Sequence, residues 1–537
     1  MHVFKFSDRL FNSKHMHMKK LGTYTLGLLL LLSLSVSFSG CKKYLDINSD
    51  PSNPDNVEAA LWLAPILSKM AVDVGFDGRY LGCYDNFFHY YAGSSNADLY
   101  GYYPASDAMG QIWRMVYFDM GLNLSRMIEN GMQAQQWDYV GVGYALRAWG
   151  WLTATDYHGP IIIKEAFIED PNKSEYDYDD QSYAYQTVFA LCDSALAYLN
   201  RTDGGVSQTN LARGDLVYKG DRTKWIKFVY GLKARAMQTL SNKSTQYYNP
   251  DSVIAWVNQS FTSNADNMLV PFNGNSSADA NFLGPTRNNF SIYRQSQFIV
   301  NLMNGTVFGQ SDPRMPVMLV TDAAGVYRGA DAVLGDTARS VTSRALLNPY
   351  GLSRSPQHGD PGKYVFSEGP FPIMTYAELQ FCKAEAAYKK GDMATALAAY
   401  QNGIKAHIQF CGLKLTDPAV VSYLGNPQVI PTDPNQLTLS MIMCQKFIAL
   451  WGFGFVEVWN DLRKYHYTDN DPKTGQQVFT GFTLPLPSQM YVDNNGKPAY
   501  RVRPRYNSEY VWNMNALKKI GADQPDYHTL ECWFSQP

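Results

Sequence analysis

The sequence has few charged residues and no excess of charge of either sign. Charged side chains make up 18% of the 537 residues, and the net charge is −2, whereas an average soluble protein has about 25% charged residues. A near-neutral chain lacks the basic face that displaces counterions from phosphates, which excludes a nucleic-acid-binding protein. The 45% of apolar residues can bury a sizeable core, which excludes global disorder.

Motifs that identify common enzymes and metal sites are also missing. The sequence has no HExxH, GxSxG, P-loop, GxGxxG or EF-hand pattern,. Its seven cysteines are scattered without a CxxC pair, and no histidines pair at metal-ligand spacing, so we expect no metal and no cofactor. A carboxylate pair for glycoside hydrolysis is defined in space rather than by spacing along the chain, and therefore stays open.

The N-terminus carries a long hydrophobic run, over residues 21–38, which follows three lysines and precedes Cys41. A positive flank and an apolar core predict an export signal over residues 1–40. The run is also long enough to span a bilayer, which leaves an anchor helix as the alternative. Ser-Gly-Cys after the run resembles a bacterial lipobox, which implies that Cys41 is lipidated and that residues 41–537 form the mature protein.

Helical periodicity dominates the body of the chain. From Trp225 to Leu240, apolar residues fall at offsets of 3, 4, 7, 11 and 15, the stripe of an amphipathic helix. Similar patterns predict helices over 56–74, 108–130, 136–156, 181–200, 223–241, 372–390, 393–410 and 436–464. Gly, Pro, Asn and Ser are frequent over 262–372 and 465–508, which predicts long loops. No linker separates two halves, so we predict one large, mostly helical domain.

One segment keeps the spacing of a tetratricopeptide helix pair. Its residues are Ala384, Gly391, Asp392, Ala396, Tyr400 and Gly403. The small residues let two antiparallel helices approach closely, the Gly-Asp pair makes the turn, and the tyrosine fills the groove between neighbours. Since one pair cannot bury its own apolar faces, we expect other helix pairs to stack on it.

Tyrosine is concentrated in one region of the chain. Seven of the 24 residues over 80–103 are tyrosines, against 37 of 537 overall, and asparagine and aspartate are interleaved with them. Flat ring faces pack on the apolar faces of sugar rings, while amides and carboxylates bond to hydroxyl groups. Several of these aromatics are expected to lie in the core instead, with Tyr80, Tyr84, Phe87 and Phe88 as the candidates.

Six segments together resemble the SusD/RagB family of nutrient-uptake lipoproteins of Bacteroidota. They are 41–46, 145–167, 215–237, 311–319, 372–392 and 457–467, in the order found in the family. The resemblance implies an all-α fold of tetratricopeptide-like helix pairs packed against a loop-rich, irregular half. It also implies a non-enzymatic lipoprotein of the outer membrane that binds nutrients, most often oligosaccharides and in some members peptides. Such proteins act as lids over TonB-dependent, SusC-like barrels.

Two departures from the family pattern stand out. Arg505-Tyr506 replace the usual Tyr-Pro before Ser508-Glu509, although Asn513 is retained. The ligand-contacting residues have no motif-level match either, because they vary widely in the family. The resemblance therefore implies no particular ligand.

The leading hypothesis is a surface glycan-binding protein whose site lies where 80–103 meets the loops around 287–294. The candidate ligand-binding residues are Tyr90, Tyr91, Asn96, Asp98, Tyr100, Tyr102, Tyr103, Asn288, Asn289, Tyr293 and Arg294. An oligopeptide-binding protein is the first alternative, in which arginine and asparagine recognise carboxylate and backbone groups. A surface glycoside hydrolase is the second alternative.

Overall fold

The computed structural model describes residues 57–168, 170, 172–350 and 369–537. Over these residues the protein is mostly helical, with sixteen α-helices and four short strands arranged as two two-stranded sheets. The predicted all-α class is therefore confirmed. The predicted signal peptide and Cys41 lie outside the described residues.

The first eight helices cover the N-terminal half of the described chain. They are α1 Ala59–Tyr84, α2 Gln111–Arg114, α3 Gly121–Gln133, α4 Trp137–His158, α5 Gln181–Leu199, α6 Gln208–Leu211, α7 Arg222–Thr239 and α8 Pro250–Gln259. A π-helical turn, Met115–Asp119, interrupts the helix predicted over 108–130. Helix α1 runs ten residues further than predicted. Its C-terminal part packs closely, since a Cβ at Gly82 would overlap the ring of Phe88.

The other eight helices include the tetratricopeptide-like pair. They are α9 Gln297–Met303, α10 Met315–Met318, α11 Tyr376–Lys390, α12 Met393–Phe410, α13 Pro418–Leu424, α14 Leu439–Leu450, α15 Phe455–Lys464 and α16 Met514–Lys519. The helix predicted over 436–464 is two helices, α14 and α15. The chain turns between them at Gly452, whose φ of 86° lies in the left-handed region that glycine adopts without strain,.

Both sheets are antiparallel strand pairs within the loop-rich part. β1 Phe88–Tyr90 pairs with β3 Tyr293–Gln295, and β2 Met268–Val270 pairs with β4 Phe371–Met374. β4 corrects the helix predicted over 372–390. Helix α11 begins only at Tyr376, because the Thr375 hydroxyl accepts a hydrogen bond from the backbone N–H of Glu378 at 3.2 Å and caps the helix,.

The contacts between α11 and α12 confirm the predicted helix pair. Gly391 has a φ of 89° and ends α11, and the Asp392 side chain caps α12 by accepting from Thr395 N at 3.1 Å. A Cβ at Gly403 would lie 2.8 Å from the Phe381 ring, so this close approach requires glycine. Further pairs pack in the same way, α4 against α5 and α7 against α8, and α8 also contacts α11.

Helix α1 is the described helix that is long and apolar enough to cross a membrane, by length and composition. Leu63, Met70 and Leu81 are completely buried within the protein core, which is what a core helix of a globular domain requires. The six cysteines of the described chain are all buried free thiols, as expected for small apolar side chains.

Candidate functional site

The β1–β3 strand pair brings the two predicted loop segments together. His89 pairs with Arg294 and Tyr90 with Tyr293, and the pairing continues as Tyr91 N donates to Ile292 O at 2.9 Å. The segments 80–103 and 287–294 therefore do meet, while a ligand site at this place stays a prediction.

The core side of this strand pair is aromatic. The ring of Phe88 lies 4.8 Å from that of Phe290 and 5.3 Å from that of Tyr293. These buried edge-to-face contacts fix the position of the strands beneath the surface residues.

Three candidate residues form a group that we call the tyrosine edge: exposed Tyr91 with half-buried Tyr90 and Arg294. Tyr91 is 38% exposed, and its ring centroid lies 4.7 Å from that of Tyr90. A hydrogen bond with Tyr91 raises the pKa of Tyr90, so the Tyr90 phenol stays neutral at physiological pH. The Arg294 guanidinium lies 5.8 Å from the Tyr91 ring centroid. The edge presents ring faces and hydroxyl groups to solvent.

Most donors of Arg294 are already used inside the protein. Its Nε donates to Leu346 O at 2.8 Å, and its Nη1 donates to Ser291 O at 2.9 Å and to Tyr293 O at 2.7 Å. Three of the five guanidinium N–H groups are thus committed to backbone carbonyls. Burial also lowers the pKa of Arg294. The main role of Arg294 is therefore to hold the backbone at Ser291 and Leu346 in place.

Asp98, Tyr100 and Tyr293 are buried, which corrects their assignment as ligand contacts. Asp98 organises the tyrosine-rich loop, since it accepts from Ser95 Oγ at 2.7 Å and lies 3.0 Å from His89 Nδ1. Tyr100 stacks on Tyr84 at 5.3 Å and donates to the Tyr84 carbonyl at 2.9 Å. These side chains position the exposed residues from within.

Tyr102 and Tyr103 do not belong to the tyrosine edge. They line a cavity of about 210 Å³, together with Arg503 and Arg505. Tyr102 donates to Asp493 Oδ2 at 2.7 Å, and burial together with this bond raises its pKa to about 12. The Tyr103 ring is tilted against that of Tyr80 at 5.3 Å. We call this space the Tyr102 cavity.

The candidate asparagines are half-buried and mainly tie loops together. The amide nitrogen of Asn96 donates to Tyr102 O at 2.8 Å, and that of Asn289 donates to Phe282 O at 2.9 Å. Asn288 has a φ of 55°, and its buried side-chain oxygen has no hydrogen-bond partner among the described residues. These amides shape the loops on either side of the strand pair.

Sequence reasoning missed a cavity of about 500 Å³ next to β1. Its polar lining is Asn86, His89, Gln297, Asn301, Asp331 and Gln489. Exposed Leu334 and Leu486 also line it. Ser94 Oγ donates to Val333 O at 2.7 Å, which holds one wall against the tyrosine-rich loop.

The amide-lined cavity gives no signal in the sequence, because its residues come from four separate segments that only the fold brings together. Its amide groups can donate hydrogen bonds to a polar ligand and accept hydrogen bonds from it. Within the described ranges, no group of three or more His, Cys, Asp or Glu side chains could hold a metal ion.

A comparison with known families decides the identity of the chain. A SusD-like family model, described as starch-binding and associating with the outer membrane, matches residues 51–480. The chain belongs to the SusD-like family. This is a family of binding proteins associated with the outer membrane of Bacteroidota. No curated protein sequence matches this SusD-like chain.

Solved structures share the fold of this SusD-like protein. A SusD/RagB family protein from Bacteroides thetaiotaomicron is similar with a TM-score of 0.64 and 19% identity, covering 89% of this chain and 99% of that one. A SusD homologue from Bacteroides fragilis has a TM-score of 0.69 and 16% identity, covering 89% and 100%. A chitin-binding SusD homologue from Flavobacterium johnsoniae has a TM-score of 0.64 and 20% identity, covering 89% and 98%.

Proposed function

We propose that this SusD-like protein is a cell-surface lipoprotein that binds neutral oligosaccharides and delivers them to a TonB-dependent, SusC-like barrel. The observation that carries the proposal is the exposed ring of Tyr91, paired with Tyr90 on the strand that also lines an amide-rich cavity. Aromatic faces bind the apolar faces of sugar rings, and amides bond to the hydroxyl groups at their rims.

The charges near the tyrosine edge favour a neutral ligand over a peptide. A peptide terminus or acidic side chain needs a free arginine fork for bidentate binding. Arg294 instead directs three N–H groups to carbonyls of its own structure. The fold shared with a chitin-binding homologue also supports a carbohydrate ligand. We infer binding without catalysis, and sugar turnover would instead indicate the glycoside hydrolase alternative.

The experiment is isothermal calorimetry against chito-, malto- and cello-oligosaccharides and a panel of tripeptides. Tyr91→Ala should weaken sugar binding about threefold to tenfold, because one ring contact of this kind contributes about 0.5–1.5 kcal/mol. Tyr198→Ala is the matched control, since Tyr198 also belongs to a ring pair, with Trp137 at 5.8 Å, on a helix outside the site.

Binding of peptides without sugars would contradict the proposal, as would sugar binding that Tyr90→Ala and Tyr91→Ala leave unchanged. The partner is tested separately. Affinity purification of the native protein from detergent-solubilised membranes should recover a large β-barrel protein. Its repeated absence would contradict the delivery step while leaving the sugar-binding step intact.

A further inference from the structure

A third cavity, of about 520 Å³, opens beside α2 and shares one lining residue, Arg505, with the Tyr102 cavity. Its walls are mostly aromatic and aliphatic, and include Trp113, Tyr117, Phe118, Phe167, Ile168 and Ser508. We call it the Trp113 cavity. A concave, largely apolar space of this size with a few polar groups is typical of a small-molecule site.

Two π-helical turns contribute to the walls of the Trp113 cavity. Phe118 belongs to the turn Met115–Asp119, and Ser508 belongs to the turn Tyr506–Tyr510. Such turns are rare and occur often at functional sites, where the extra residue redirects side chains. Here the first turn leaves the Phe118 ring 69% exposed, so an aromatic face is available to a ligand.

The charged groups around the Trp113 cavity are neutralised within the protein. Arg505 forms an ion pair with Asp107, and Glu165 accepts from Lys173 Nζ at 2.5 Å. Arg114 also lines the cavity and lies 3.8 Å from Asp119 Oδ2. A phosphate or carboxylate ligand would therefore have to compete with Asp107 and Asp119 for the two arginines. Ser508 Oγ, in contrast, is buried without a hydrogen-bond partner among the described residues, and a hydroxyl can both donate and accept. This lining suits an uncharged ligand that carries hydroxyl groups.

We propose that the Trp113 cavity is a second sugar-binding subsite, separate from the tyrosine edge, which takes one uncharged ring of an oligosaccharide whose next unit occupies the Tyr102 cavity. The inference rests on the proposed function and extends it, from binding sugars to preferring chains of several units. Arg505 lines both cavities, so one ligand can cover them side by side. The Phe118 ring would stack on the sugar, and Ser508 would bond to a hydroxyl group.

The test is the dependence of affinity on chain length, measured by calorimetry with disaccharides and hexasaccharides of the chito- and malto- series. The native protein should bind the hexasaccharide more tightly than the disaccharide. Phe118→Ala should weaken hexasaccharide binding about threefold to tenfold and weaken disaccharide binding less, because a disaccharide can also bind at the tyrosine edge alone. Leu122→Ala is the matched control, since Leu122 is 47% exposed just beyond the same π-turn and is not part of the cavity lining.

Three outcomes would overturn the inference. They are equal affinity of the native protein for both lengths, no effect of Phe118→Ala on the hexasaccharide, and equal weakening by Leu122→Ala. If Tyr91→Ala still weakens binding in those cases, the proposed function stands and only the second subsite fails. Absence of binding to every oligosaccharide overturns both.

Discussion

Arg235 and Glu378 form a buried, two-pronged ion pair that links α7 to α11. Arg235 Nε lies 2.6 Å from Glu378 Oε1, and Arg235 Nη2 lies 2.7 Å from Glu378 Oε2. Arg235 Nη1 also lies 2.8 Å from Glu457 Oε1. These three residues belong to the segments 215–237, 372–392 and 457–467, which carry the family resemblance. The shared segments therefore preserve the core of the helical half and not the ligand site.

Removing the arginine should destabilise the protein strongly. Arg235→Met leaves the carboxylates of Glu378 and Glu457 buried without a cation, and breaking such a pair costs about 3–5 kcal/mol. We expect the free energy of unfolding, from urea denaturation monitored by circular dichroism, to fall by that amount. Lys390→Met is the control, since it breaks the exposed Lys390–Asp251 pair. It should change the free energy of unfolding by about 0–1 kcal/mol. Equal effects of the two variants would contradict the structural role.

The contact between Gly403 and Phe381 should tolerate no larger side chain. Gly403→Leu places a Cβ 2.8 Å from the Phe381 ring, and forced overpacking of this kind costs about 1–3 kcal/mol. The melting temperature should fall, as measured by differential scanning calorimetry. Ala398→Leu, at an exposed position of the same helix α12, is the control and should leave the melting temperature nearly unchanged.

Asp77 should make stability depend on pH. Burial raises its pKa from 3.8 to about 7. Between these values the folded protein binds a proton that the unfolded chain does not, so this group favours folding more as the pH falls from 8 towards 5. Asp77→Asn keeps an acceptor for the N–H of Ile112, which lies 2.8 Å from Asp77 Oδ2.

Thermal unfolding followed at several pH values between 5 and 8 checks the Asp77 prediction. As the pH rises from 5 to 8, the melting temperature of the native protein should fall relative to that of Asp77→Asn. The comparison therefore favours the variant most at pH 8. Asp180→Asn, at an exposed position, serves as the control. A pH-independent difference for Asp77→Asn would show that the carboxyl titrates normally.

Asp98 should affect ligand binding without touching the ligand. Asp98→Ala leaves the buried groups of His89 and Ser95 without their acceptor, at a cost of about 1–3 kcal/mol. We expect both lower stability and weaker sugar binding, because Tyr90 and Tyr91 lose their support. Ser95→Ala removes only the Ser95 hydroxyl, which donates to Asp98 Oδ2 and accepts from Asp98 N, and should have a smaller effect on both stability and binding. Tyr91→Ala should weaken sugar binding and leave stability unchanged. The comparison distinguishes a residue that contacts the ligand, Tyr91, from one that holds the loop in place, Asp98.

The lipid attachment predicted at Cys41 can be tested in cells. Cys41→Ala should move the protein from the membrane fraction to the soluble fraction, since the lipid is the predicted anchor. Fractionation followed by immunoblotting measures this. Cys83→Ala, which changes a buried thiol of the domain, is the control and should stay in the membrane fraction. Membrane retention of Cys41→Ala would favour an anchor helix over residues 21–38.

Local sequence predicted the helices well and the ligand site only in part. The 3.6-residue period is a local property, so helices such as Trp137–His158 and Met393–Phe410 were predicted nearly to their ends,. The strand Phe371–Met374 was missed because its partner, Met268–Val270, lies about a hundred residues earlier. A short apolar run by itself does not distinguish a strand from a helix.

The tyrosines show most clearly what sequence alone determined. Composition established that 80–103 is rich in tyrosine, and the near-neutral net charge predicts that the protein does not bind nucleic acid,. Only the tertiary structure decided that Tyr100 is buried against Tyr84 while Tyr91 reaches solvent. Burial depends on which distant segments pack against each residue, and here the Tyr100 ring lies 5.3 Å from that of Tyr84 in α1 and 5.5 Å from that of Tyr467. Aromatic content could be read along the chain, but the exposed faces were set by folding.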